Sequence, residues 1–110
     1  MEEITEKIRT LARFVKQNPG DSFSKFALAL EFMKKNELHR ARVLFESIRK
    51  QDPEYLGVYY HLGKLYQRFG ELEKAQKSFE KGLQLAEMKD EKRTREELEE
   101  ALQQLKEDME

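Results

Sequence analysis

The sequence predicts an all-α protein of about six helices and no strands, arranged as a solenoid of stacked helical hairpins. Apolar residues recur at the spacing of amphipathic helices almost throughout, and no segment shows the alternation of a β-strand. Turn-forming residues interrupt this spacing at short intervals. The chain also resembles itself at a period of 34 residues, which is typical of repeat architectures.

The first two helices are separated by a turn that contains proline. The apolar stripe that begins at Ile4 ends at residues 18–20, whose sequence is NPG. Asp21 or Ser22 is expected to cap the second helix. That helix is expected to end near Asn36, because asparagine tolerates the left-handed conformation found after helices.

The other four helices follow at similar intervals. The third starts at about Leu38. Asp52 followed by Pro53 is interpreted as the N-cap and first turn of the fourth helix. Gly70 ends the fourth helix, and a charged connection with the sequence MKDEKR separates the fifth helix from the sixth.

The internal repeat appears when residues 56–89 are aligned with residues 22–55. The identical pairs are Leu28/Leu62, Glu37/Glu71, Leu38/Leu72, Ala41/Ala75, Phe45/Phe79 and Glu46/Glu80. Beyond these identities, Ala29 pairs with Gly63, so that a small residue matches a small residue. In the same way, the aromatic Phe32 pairs with Tyr66, and the turn-forming Asn36 pairs with Gly70.

This pattern resembles the tetratricopeptide repeat family, whose repeat has a large aromatic, Leu-Gly, Tyr, a turn glycine, Ala, Phe, Ala and Pro. The second repeat matches with Tyr59, Leu62, Gly63, Tyr66, Gly70, Ala75 and Phe79. The first repeat matches with Leu28, Ala29, Phe32, Leu38, Ala41, Phe45 and Pro53. The chain departs from the pattern at Lys25, where an aromatic is usual, at Ile48 and Gly82, where alanine is usual, and at Glu87, where proline is usual.

The resemblance implies a single domain over residues 1–110. Residues 2–17 would be the second helix of a truncated repeat, residues 22–55 and 56–89 two full repeats, and residues 91–109 a capping helix. Gly63 would be small because two helices cross there, and a side chain on one helix must fit a groove on the other.

The resemblance also implies a protein or peptide partner, bound in the concave groove made by the first helix of each repeat. By position, the apolar half of that groove is Phe23, Phe26, Leu30 and Met33, and the basic, aromatic half is Tyr60, His61, Lys64 and Arg68. Three positions that would clamp a chaperone carboxylate hold Phe26, Leu30 and His61, so that clamp is not expected.

A second hypothesis stays open beside this one. The chain would be a self-associating structural module, a homodimer, whose apolar groove is filled by its own chain or by a second copy. An exposed apolar patch commonly marks an interface, and the sequence does not distinguish the two occupants.

Other functional classes find little support in the sequence. There is no cysteine, no metal-ligand spacing and no glycine-rich phosphate loop, so no cofactor or metal is expected. His39 and His61 are the only histidines. His39 sits near a helix start among arginines, and His61 has no nearby acid in the repeat register to orient it as a base, so the chain is not expected to be an enzyme. A net charge of −1 argues against a nucleic-acid partner. The absence of a long apolar run or a hydrophobic signal core predicts a cytoplasmic protein without a membrane span.

Overall fold

The computed structural model describes residues 5–110 and contains six α-helices, with no strand among those residues. The helices are α1 (Glu6–Gln17), α2 (Ser22–Lys34), α3 (Leu38–Gln51), α4 (Gly57–Arg68), α5 (Leu72–Met88) and α6 (Lys92–Met109). The predicted all-α class and the number of helices are confirmed. Ile4 and the rest of the segment predicted to open the first helix lie outside the described residues.

The helices fall into two compact units, each described here by itself. The N-terminal unit is Met1–Pro53 and contains α1, α2 and α3, whereas the C-terminal unit is Glu54–Glu110 and contains α4, α5 and α6. The predicted division into a half repeat, two full repeats and a cap, all in one domain, stays a prediction.

Short polar side chains begin the two helices of the N-terminal unit that have a side-chain cap. Thr5 Oγ1 accepts a hydrogen bond of 3.1 Å from the backbone N–H of Ile8 at the start of α1. Asp21 Oδ1 accepts from the N–H groups of Phe23 and Ser24 at the start of α2. Asp21 is therefore the cap of α2, because its carboxylate satisfies donors that have no partner within the helix.

Three connections share one turn geometry. Asn36, Gly70 and Asp90 have φ of 59°, 77° and 57°, in the left-handed region. In each turn the next residue donates its N–H back over the end of the preceding helix, as Glu71 does to Tyr66 O at 2.8 Å. The connection after α5 is consequently only residues 89–91, and the longer charged connection predicted from MKDEKR is wrong, because α5 extends to Met88 and α6 begins at Lys92.

The predicted role of Asp52 and Pro53 at the start of α4 is also wrong. The N–H of Asp52 donates to Ile48 O at 2.7 Å, so Asp52 ends α3. α4 begins at Gly57, after the turn 53–56. Proline disfavours the helical conformation of the residue before it, and this signal here marks the end of one helix rather than the start of the next.

In the N-terminal unit, α2 and α3 pack as a hairpin around buried apolar side chains. The buried residues of these two helices include Leu28, Ala29, Ala41, Phe45 and Ile48. The rings of Phe26 and Phe45 meet edge to face, with centroids 5.6 Å apart. α1 packs against α2 through Ile8, its buried residue.

Lys25 occupies the position at which the repeat usually has an aromatic side chain. It is only 7% exposed. Its Nζ donates hydrogen bonds of 2.9 Å to Ser47 Oγ and 2.8 Å to Gln51 Oε1, both on α3. The methylene stem of lysine can pack as an apolar chain while the ammonium group reaches polar partners. Lys25 therefore joins the two helices by hydrogen bonds where an aromatic ring would join them by packing.

In the C-terminal unit, two glycines allow helices to approach closely. A Cβ built on Gly63 of α4 would lie only 2.5 Å from Cδ1 of Phe79 on α5. A Cβ on Gly82 of α5 would lie 2.8 Å from Cβ of Tyr59 and 3.1 Å from Leu98 on α6. The prediction that Gly63 is small because helices cross there is confirmed.

We predict that Gly63→Ala destabilises the protein. Alanine gains about 1 kcal/mol of helix propensity over glycine. Overpacking against the buried ring of Phe79 costs about 1–3 kcal/mol or more, so the expected net change is a loss of free energy of unfolding. Urea unfolding followed by circular dichroism measures it.

Gly20→Ala is the matched control, because nothing lies within 4 Å of a Cβ at Gly20. Its free energy of unfolding is expected to change by less than about 0.5 kcal/mol, as at other unconstrained surface positions. A Gly63→Ala protein that is as stable as Gly20→Ala would contradict the close helix crossing.

Candidate functional site

The C-terminal unit contains a cleft between α4 and α6 with a volume of about 240 Å³. Its lining residues are Tyr60, Lys64, Glu97, Glu100, Ala101 and Gln104. Tyr60 and Lys64 belong to the binding residues predicted from the sequence. In this cleft, side chains from two helices surround an open volume.

The helical period brings these side chains together. Tyr60 and Lys64 are four residues apart and therefore lie on one face of α4. Glu97 and Glu100 are three residues apart and share a face of α6. The neighbouring apolar face of α6 is buried within the unit, through Leu98, Ala101 and Leu105. Burial of that face fixes the rotation of α6 and turns both glutamates towards the cleft.

The charge of the cleft differs from the sequence-based expectation. That expectation treated this half of the site as basic and aromatic, but the structure places Glu97 and Glu100 opposite Lys64. The cleft is therefore of mixed charge. The acidic run REELEE is visible in the sequence, but its distance from α4 along the chain hides the juxtaposition. Neither Lys64 nor Glu100 forms an ion pair or hydrogen bond with another described residue.

His61 lies beside the cleft, half-buried on α4. Its ring meets that of Tyr60 edge to face, with centroids 5.5 Å apart. Desolvation by burial lowers the pKa of His61 below its usual value of 6.5, and the negative charge of Glu97 opposes that shift. The expectation that no acid lies near His61 holds only within the repeat register, because Glu97 is supplied by α6.

The end of α4 is tied to the end of α6. Gln67 Nε2 donates a hydrogen bond of 2.6 Å to Asp108 Oδ2. Arg68, the next residue, is exposed and does not line the cleft. The structure thus brings Tyr60, His61 and Lys64 to the cleft region and leaves Arg68 outside it.

The predicted apolar residues all lie on α2, in the N-terminal unit. Phe23 is 71% exposed, whereas Leu30 and Met33 are half-buried. Phe26 is also half-buried, and its ring packs against Phe45. Phe23 is therefore the most accessible member of the set, and Phe26 contributes to the hairpin core as well.

A second apolar surface, which was not predicted from the sequence, lies between α2 and α3. It encloses about 350 Å³ and is lined by Leu28, Phe32, His39, Arg40, Val43 and Leu44. The guanidinium of Arg40 lies 5.6 Å from the centroid of the Phe32 ring. Lys74 and Tyr66 repeat this cation–π contact 34 residues later, at 5.8 Å. The repetition indicates that the contact belongs to the repeat rather than to a binding site.

Two other kinds of site were sought in the described part of the chain. Residues 5–110 contain no group of three or more histidine, aspartate or glutamate side chains that could hold a metal ion. No helix among them combines the length and the apolar character that crossing a bilayer requires.

Comparison with known proteins gives a consistent result. Residues 32–87, about half of the chain, match the family model described as tetratricopeptide repeat. Anaphase-promoting complex subunit 3 of Dictyostelium discoideum is 31% identical over 83 residues, which cover 76% of this chain. The chain spans only 9% of the length of that protein.

Solved structures agree with the predicted fold. The crystal structure of a tetratricopeptide repeat domain protein from Salinibacter ruber has 36% identity and a TM-score of 0.75, and covers 78% of this chain and 97% of its own. The solution structure of a Bordetella parapertussis protein covers 96% of this chain and 91% of its own, with a TM-score of 0.79. Its 21% identity supports the fold alone.

We predict that His61 makes stability depend on pH. Because its pKa is lower in the folded state, the unfolded chain binds the proton more tightly. The contribution of His61 to stability is present above pH 6.5 and is lost as the pH falls from 6.5 through the folded pKa. His61→Gln should therefore flatten the decline in free energy of unfolding over this range, measured by urea titrations at several pH values.

Glu97→Gln provides the opposing test. Removing the carboxylate removes the charge that raises the pKa of His61, so the acid destabilisation should become steeper. An unchanged pH profile in both variants would contradict the described environment of His61.

Proposed function

Because the chain belongs to the tetratricopeptide repeat family, whose fold is generally a protein–protein interaction module, we propose that it binds a segment of another protein without catalysis. The observation that carries the proposal is the α4–α6 cleft, in which Lys64 and Glu100 face an open volume without an ion pair to another described residue.

The chemistry of the cleft specifies the segment it would accept. Glu97 and Glu100 favour a lysine or arginine of the partner, and Lys64 favours a carboxylate. The ring of Tyr60 supplies apolar surface with a hydroxyl at its tip. We therefore propose a segment with charges of both signs rather than the acidic segment that a basic site would select.

The N-terminal unit offers apolar contacts on α2. Phe23 is exposed, and Leu30 and Met33 retain part of their surface. An apolar or amphipathic segment would bury these side chains. It stays a prediction that one peptide or helix occupies both sets of residues in a continuous concave groove.

Two further expectations from the sequence also stay predictions. They are the cytoplasmic location of the protein and the absence of nucleic-acid partners.

The structure also decides which variants test this function. Phe26→Ala combined with Tyr60→Ala is a poor choice, because the Phe26 ring packs on Phe45 and the Tyr60 ring lies 6.4 Å from that of Phe79. The loss of core packing would then be confused with the loss of binding. Lys64 and Glu100 have no such role, so their truncation leaves the fold in place.

We predict that Lys64→Ala with Glu100→Ala weakens partner capture by about tenfold, the loss expected when central charged contacts are removed. The measurement is affinity capture from a lysate of the source organism, with the captured proteins quantified by mass spectrometry. Lys81→Ala with Glu87→Ala is the matched control, because it removes the same charges from exposed positions on α5. Equal capture by wild type and the cleft variant would contradict the proposal.

Self-association is the second candidate, favoured by the 71% exposure of Phe23. A large exposed ring is a common centre of a protein interface. If two copies associate through α2, light scattering over a range of concentrations should show a dimer, and Phe23→Asp should return it to a monomer. A wild-type monomer at all concentrations would contradict the homodimer.

A further inference from the structure

The sequence of α1 aligns with the second helix of each of the two hairpins. Shifting the sequence by 34 residues aligns three positions of α1 with α3, and a second shift aligns them with α5. The aligned sets are Lys7, Leu11 and Phe14, then Ala41, Phe45 and Ile48, then Ala75, Phe79 and Gly82. In α3 and α5 all of these residues are buried.

The same positions remain accessible on α1. Phe14 is 46% exposed, the side chain of Lys7 is 66% exposed, and Leu11 is half-buried. The buried residue of α1 is Ile8, which neighbours Leu11 on the helix surface, and α1 packs against α2. We call the surface formed by Lys7, Leu11 and Phe14 the open face of α1.

In the two complete hairpins, the corresponding face is covered by a helix. α2 places Phe26 against Phe45 of α3, and α4 places Gly63 against Phe79 of α5. The repeat therefore indicates what kind of element suits these positions, since the element that buries them in both hairpins is the helix that precedes them in the chain. On α1 this cover is incomplete: Lys7 reaches Glu31 of α2, but Phe14 stays 46% exposed, whereas Ile48 and Gly82 at the matching positions are buried.

The charge of α1 specifies the partner further. Glu6–Gln17 contains one acidic and four basic residues, a net charge of +3. Arg13 and Lys16 form no ion pair with another described residue, whereas Lys7 lies 3.2 Å from Glu31 Oε2. An acidic helix would complement this charge, because opposite potentials across an interface favour association.

We propose that the open face of α1 docks an amphipathic helix from outside the described residues, whose apolar stripe is flanked by acidic residues. Because Lys7 already pairs with Glu31, Arg13 and Lys16 are the cations that the carboxylates of the docked helix would meet. The acidic helix of a second copy, α6, is unsuitable because its apolar residues Leu98 and Leu105 are buried in its own unit.

The test uses a synthetic peptide that keeps the apolar residues of α2 and carries glutamate at the other positions, with a lysine version as its counterpart. Fluorescence anisotropy measures the dissociation constant of each peptide for the full chain. The glutamate peptide should bind about tenfold more tightly than the lysine peptide. Phe14→Ser should weaken its binding by about tenfold.

Val43→Ser is the matched control, because Val43 is a 64% exposed apolar residue of the same unit. Its binding of the glutamate peptide should equal that of wild type, and circular dichroism establishes that both variants fold. Equal affinity for the two peptides, no binding, or equal weakening by both variants would overturn the proposal. A wild-type dimer that Phe14→Ser dissociates would also overturn it, since the occupant would then be a second copy. The open face belongs to the N-terminal unit and shares no residue with the α4–α6 cleft of the C-terminal unit, so Lys64→Ala with Glu100→Ala should leave peptide binding unchanged.

Discussion

The close contact between Gly63 and the ring of Phe79 is the constraint on which the rest of the C-terminal unit depends. Without a side chain on Gly63, the ring of Phe79 reaches the backbone of α4, and the two helices interlock. Gly82 of α5 in turn leaves space for the side chain of Leu98 on α6. The cleft exists because this second contact sets α6 beside α4. Two glycines thus position a surface that contains neither of them.

Most of the fold could be predicted because its determinants are local or periodic. The helical spacing of apolar residues, the turn at Asn36 and the turn at Gly70 are all visible within a few neighbouring residues. The 34-residue period adds the pairing of helices, because identical positions meet the same environment in each repeat. Phe45 and Phe79 are both fully buried, as that argument requires.

The failures of prediction have a common physical origin in context that the local sequence does not contain. Asp52 followed by Pro53 suits the end of one helix as well as the start of another, and the hydrogen bond to Ile48 decides between them. Lys25 departs from the aromatic pattern, and its burial is possible because Ser47 and Gln51 of α3 accept its hydrogen bonds. The position of Glu97 and Glu100 in the cleft was not predicted, because it depends on which face of α6 is buried.

The mixed charge of the cleft has a consequence for the way a partner is recognised. Long-range attraction requires a net charge, and Lys64 partly cancels the field of Glu97 and Glu100. Charges of both signs instead fix the direction and register of a bound segment, because reversing the segment would place like charges together. Within the cleft itself, the ring of Tyr60 is the aromatic surface that a bound segment could cover. A cleft of this kind would select a segment by the order of its charges as well as by their number, so the two glutamates and Lys64 are expected to contribute to selectivity together with affinity.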